Sequence, residues 1–278
     1  MNWNAPATYL LIALVSAGFM WVVFSAVREW RRPRGTYRPV AGPPERPAIA
    51  IGHGASAFSR IGGLPQLPEN EAWPVDEAGT PLAFLCQIAL PELPDLAREL
   101  GFPARGALFF FYDWDQSAWG FDPKDRLKWR VLHTPEVPSA AGSRALPAGL
   151  AAKRMYAAVS LGFSVMTTWL DPETAPAGRE PPLHMMGGYP DAIQNPEMDE
   201  ECELASSGIN LGSPEGWHSA EAEALRQKPR DWVLLLQLDS DDVAHMMWGD
   251  GGTLYFWIRR DDLRRADFSR VWMILQCY

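Results

Sequence analysis

From residue 48 onward the apolar positions fall in short runs closed by glycine or proline, with few long stretches of helical period. Such runs predict strands, over 83–88, 107–112, 128–133, 156–161, 231–238, 252–258 and 270–277. Helical spacing is confined to 91–100, 217–227, 240–247 and 259–265. The expectation is an α+β, β-rich domain over 48–278.

Upstream the pattern changes. Tyr9 to Val27 is a nineteen-residue apolar run, and no charged side chain occurs between Met1 and Val27, close to the roughly 20 residues a helix needs to span the hydrocarbon layer. Arg28, Arg31, Arg32, Arg34 and Arg38 follow it. Positive charge after the run, not before it, disfavours a cleaved signal and predicts a single-pass anchor over 1–30. The amino terminus is then outside and the domain cytoplasmic, at the inner membrane. Pro33, Gly35, Pro39, Gly42, Pro43, Pro44 and Pro47 make 31–47 an extended linker.

Within the domain four short motifs recur in one order. Gly62-Gly63-Leu64-Pro65 matches Gly187-Gly188-Tyr189-Pro190, and Leu85-Cys86-Gln87-Ile88 matches Leu235-Leu236-Gln237-Leu238. Gly106-Ala107-Leu108-Phe109-Phe110 matches Gly252-Thr253-Leu254-Tyr255-Phe256, and Trp129-Arg130-Val131-Leu132 matches Trp272-Met273-Ile274-Leu275. Four colinear matches predict an internal duplication, with similar halves at about 58–135 and 184–278. Each half places a glutamine inside an apolar strand, Gln87 and Gln237. A buried amide must satisfy its donors and acceptor, so each either ties strands together or lines a ligand site.

Charge narrows the partners. Six arginines against two glutamates up to residue 46 leave −13 of the net −9 on the rest of the chain. An acidic domain behind a basic collar is poorly suited to phosphate backbones, so no nucleic acid partner is expected. The three widely spaced cysteines suggest neither a disulfide framework nor a zinc knuckle.

Together, GGLPQLP at 62–68 with Trp73-Pro74, PLAFLCQIAL at 81–90, GGYPDAIQ at 187–194 and LLLQLDSDD at 234–242 carry a likeness, extended by MMWGDGGTLYFWIRRDDL at 246–263 and LQCY at 275–278. In these motifs the chain resembles the YwqG-like family, a bacterial domain of unknown function. The resemblance implies a mixed α+β fold with β-rich halves and a cytoplasmic setting. It supplies no activity and no catalytic residues.

The densest polar cluster is Asp239, Ser240, Asp241 and Asp242 with His245, Trp248 and Asp250. On a helix starting near Ser240, Asp241 and His245 would share a face at metal-binding spacing. The competing expectation is that Asp239 or Ser240 caps the helix and the acids complement its dipole. Trp114, Trp119 and Trp129 beside Asp113, Asp115 and Asp122 suggest either core packing or an aromatic contact patch. No G-x-S-x-G, H-E-x-x-H or P-loop motif occurs, and no cofactor is expected. Two readings follow: a membrane-tethered module binding a protein or small ligand, and a metal-dependent hydrolase or other enzyme built on the 239–250 cluster.

Overall fold

The computed structural model describes residues 42–139, 143–148, 150, 155–177 and 182–278. Ten strands form one antiparallel sheet: β1 (Glu45–His53), β2 (Arg60–Ile61), β3 (Ala83–Ala89), β4 (Ala107–Tyr112), β5 (Trp129–Thr134), β6 (Val159–Trp169), β7 (His184–Gly187), β8 (Trp232–Asp239), β9 (Thr253–Arg259) and β10 (Trp272–Gln276). Their order is β10-β9-β8-β7-β1-β6-β2-β3-β4-β5. The sheet curls into a nearly closed barrel. At its ends the Trp129 indole Nε1–H donates to Val271 O at 2.9 Å, and the Trp129 and Trp272 rings lie 5.1 Å apart.

The α+β expectation is thereby corrected to a β-rich barrel with few helices. Those described are short: α1 (Leu96–Glu99), α2 (Met198–Ser206), α3 (Pro214–Trp217), α4 (Ala220–Arg226) and α5 (Arg260–Arg264). The reason lies in the central strands, which are buried on both faces and so read as unbroken apolar runs. Every residue of β3 and β4 is buried. Leu108, Phe110 and Tyr112 of β4 face the main core, while Ala107, Phe109 and Phe111 face a second core under Phe58, Leu67 and Leu82. The segments with helical spacing supply only connectors of one or two turns. The expected transmembrane helix falls on the run Tyr9 to Val27, which lies outside the described residues, and no described helix is long and apolar enough to cross a membrane.

Three boundaries also move. β1 begins at Glu45, inside the expected linker, and on its 45–47 stretch it pairs with β6 alone, which leaves room for Pro47. β6 continues to Trp169, well past the expected 161. The segment 240–247 is not a helix: Asp241 and Met246 exchange backbone hydrogen bonds of 2.9 Å across a tight turn.

Exchanging β1–β5 for β6–β10 leaves the strand order unchanged, and the details follow suit. A bulge falls between Phe84 and Cys86 in β3 and between Leu234 and Leu236 in β8. Gly62 and Gly63 have φ of 64° and 71°, Gly187 and Gly188 of 70° and 72°, left-handed values that glycine adopts without strain. A Cβ on Gly63 would lie 2.9 Å from the Ala158 Cβ, and one on Gly188 would lie 2.7 Å from the Ala48 Cβ. Those two alanines open a further match that the strand pairing reveals, Ala48-Ile49-Ala50-Ile51-Gly52 with Ala158-Val159-Ser160-Leu161-Gly162. Its two glycines are direct partners across β1 and β6.

Candidate functional site

The two glutamines occupy corresponding places. Gln87 is buried; its Oε1 accepts from Gln66 N–H at 2.8 Å, and its Nε2 donates to Phe58 O and Gln66 Oε1. Gln237 Oε1 accepts from Asp191 N–H at 3.0 Å. Gln66 and Asp191 each stand four residues after the first glycine of their pair, so each amide clamps a Gly-Gly turn onto the sheet. Both side chains tie the fold together.

A second polar tie also recurs, with different chemistry. After β1, Ser56 and Ser59 hydroxyls both donate to Glu92 Oε2, and Ala89 N–H donates to Ser59 Oγ at 2.9 Å. By the same offset as the glycine pairs, the position of Ser59 is held in the second half by His184. Here Asp239 N–H donates to His184 Nδ1 at 3.1 Å, the counterpart of the Ala89 bond. The carboxylate is Asp241, and it gathers His184 Nε2 at 3.2 Å and His53 Nε2 at 2.7 Å on its Oδ2. Its Oδ1 accepts from Val243 and Ala244 N–H at 2.8 and 2.9 Å.

Burial alone would push the Asp241 carboxyl up. The hydrogen bonds from His184, His53 and Ala244 N–H outweigh it and hold the group well below the ordinary carboxylate range. Because His184 Nδ1 accepts a backbone N–H, its own proton sits on Nε2, where it faces the carboxylate. That nitrogen has no lone pair to give a metal. Among the described residues no group of three or more His, Cys, Asp and Glu is disposed to hold a metal ion.

The residues singled out in the 239–250 cluster are dispersed. Asp239 Oδ1 accepts from Ser240 N–H and the Thr253 hydroxyl, and Ser240 joins Trp248 N–H to Gly252 O. Neither caps a helix. Asp242, His245 and Asp250 are exposed, so the structure does not bring His245 to the buried Asp241. Trp248 is buried against Tyr112 and Tyr156, and its Nε1 has no partner among the described residues. Of the aromatic stretch, Trp129 is core, Trp114 stacks on Tyr156 at 5.1 Å, and Trp119 is exposed. Asp113 is buried and shapes its own loop through Asp115 N–H and Ser117. Asp122 caps the 3₁₀ turn Pro123–Leu127.

His53 escaped the sequence because it stands alone, 188 positions from its partner. The detectable signal was the offset that sets a histidine, His184, opposite a serine, Ser59.

The turn that Asp241 anchors carries apolar side chains into solvent, Val243 57% and Met247 44% exposed. Met155, 42% exposed, lies on the segment whose Ala157 N–H donates to Ala244 O. Gln116 from the β4–β5 connection pins the far side of the turn, donating to Met247 O at 2.7 Å and accepting from Gly249 N–H at 2.8 Å.

No curated protein matches the chain. The family described as a domain of unknown function, DUF1963, matches residues 59–277. With most of the chain inside that match, the protein belongs to the DUF1963 family.

Proposed function

We propose that this is a binding domain of the bacterial YwqG-like kind, and that it docks a protein segment on the turn 241–249. The observation that carries the reading is the pair Val243 and Met247, apolar and exposed on a backbone clamped by Asp241 and by Gln116, with exposed Met155 on the segment whose Ala157 N–H donates to Ala244 O. Exposed apolar side chains gathered on a rigid turn mark interaction sites, and methionine adapts its shape to a partner. Asp242 on this turn and Asp250 just beyond it, both exposed, favour a segment whose apolar anchors are flanked by Lys or Arg. A reducing, cytoplasmic setting suits the three buried, unpaired cysteines.

The test places a photo-crosslinking phenylalanine analogue at Val243, Met247 and, as a control on the far strand β6, at exposed Val165. Adducts in cells are expected from the first two positions and not the third, and are expected to weaken when Asp242→Lys and Asp250→Lys are added. Equal adducts at all three positions, or none at any, would overturn the reading.

A further inference from the structure

The two polar ties perform one structural task with different groups. In the first half the task is met by serine hydroxyls on Glu92, with no imidazole involved. The fold therefore does not need histidine at this place, yet in the second tie Asp241 meets two of them, His184 of β7 and His53 from the end of β1. What histidine adds is a ring that can offer an N–H on one side and a nitrogen lone pair on the other.

Geometry assigns the protons. An ionised carboxylate only accepts, so each nitrogen against Asp241 Oδ2 carries a hydrogen. His184 is 1% exposed and spends both nitrogens internally, Nδ1 on Asp239 N–H and Nε2 on the carboxylate. His53 differs: its side chain is 40% exposed, only Nε2 is engaged, and no hydrogen bond from the described residues reaches Nδ1. Its neutral ring is thus held with Nε2–H inward and the Nδ1 lone pair available outward. The neighbouring turn presents Asp242, which disfavours anions there.

We propose that His53 and Asp241 form a proton-accepting dyad whose ligand is a hydroxyl- or amine-bearing small molecule. The ligand O–H or N–H donates to Nδ1. Where the donor is acidic enough, its bond to hydrogen breaks, the electron pair stays on the ligand atom, and the proton is taken by the Nδ1 lone pair. The imidazolium so formed keeps its Nε2–H on Asp241, whose charge stabilises it. This site does not depend on the docking face, and its test shares no readout with crosslinking.

The experiment uses the full chain labelled with ¹⁵N, with His53→Gln to assign the resonance. Two-bond proton–nitrogen spectra of the neutral ring are expected to show a protonated Nε2 and a bare Nδ1 at His53. Phenol and butylamine, which carry donors, are expected to shift that Nδ1 signal, and acetate, which only accepts, to leave it in place. Diethyl pyrocarbonate is expected to modify His53 several-fold faster than His218 and His245, both exposed in the same molecule. A proton found on Nδ1, a response to acetate in place of the donors, no response to any of the three, or equal modification of the three histidines would each overturn the dyad.

Discussion

Two buried carboxyls show how neighbours decide the fate of a charge. Asp241 receives four donors and stays ionised, so its folded-state pKa is depressed and its contribution to stability is present above the ordinary carboxylate value and lost as pH falls below it. Asp241→Asn is expected to cost about 3–5 kcal/mol in urea unfolding at pH 7, with the gap to wild type shrinking in acid. Glu201 is the opposite case. Burial pushes it from 4.5 to about 7, and among the described residues only Asn195 donates to it and its buried Oε2 has no partner. A raised carboxyl pKa gives stability that is full below the unfolded value and lost as pH rises through the folded one, so the loss runs between about pH 4.5 and 7. Glu201→Gln is therefore expected to raise the melting temperature at pH 8 and to change it little at pH 4.5, the wild type having surrendered roughly 3 kcal/mol between the two. A larger gain at pH 4.5 than at pH 8 would show the carboxyl to be ionised throughout.

The Gly-Gly turns are where element geometry is least forgiving. At Gly63 and Gly188 any side chain meets both a left-handed backbone and an alanine Cβ from the opposite half. Gly63→Ala and Gly188→Ala are each expected to destabilise by about 2–3 kcal/mol in chemical denaturation, whereas Gly79→Ala, where a Cβ meets nothing within 4 Å, is expected to show only the strain of its φ of 79°. These turns were legible as motifs because glycine pairs are conspicuous, and strands β3, β4, β8 and β9 because runs such as Ala107–Tyr112 are apolar without a break. Elsewhere the local signal misled. Residues 240–247 have acids and a four-residue spacing that suit a helix, but Asp241 spends its carboxylate on Val243 and Ala244 N–H, the competing local bonds that make aspartate a turn former. β1 was hidden by Pro47. β6 was cut short because Ser164 and Val165 are exposed and its far end breaks the apolar pattern.

For the molecule as a whole, neither the barrel nor the His53 site could be read from local pattern, since both arise where distant segments meet. The motif order hinted at related halves; what it could not convey is that corresponding residues touch. Phe110 and Phe256 hold matching positions in β4 and β9, and their rings pack 5.2 Å apart inside the barrel. Trp129 and Trp272 match in β5 and β10, and they form the seam between the two ends of the sheet. Each indole also donates across that region, Trp129 to Val271 O at 2.9 Å and Trp272 to Gly120 O at 2.8 Å. If the seam closes the barrel as a unit, the two tryptophans must be energetically coupled and not independent. Trp129→Phe and Trp272→Phe are each expected to cost about 1–2 kcal/mol, from a lost buried hydrogen bond and lost packing. The double variant is expected to depart from the sum by about 0.5–1.5 kcal/mol, the range of an aromatic pair. Urea unfolding of the four proteins completes the cycle, and amide exchange should quicken first in β5 and β10 of either variant. Strict additivity, with exchange unchanged in the strand opposite the substitution, would mean that the sheet ends lie side by side without holding one another.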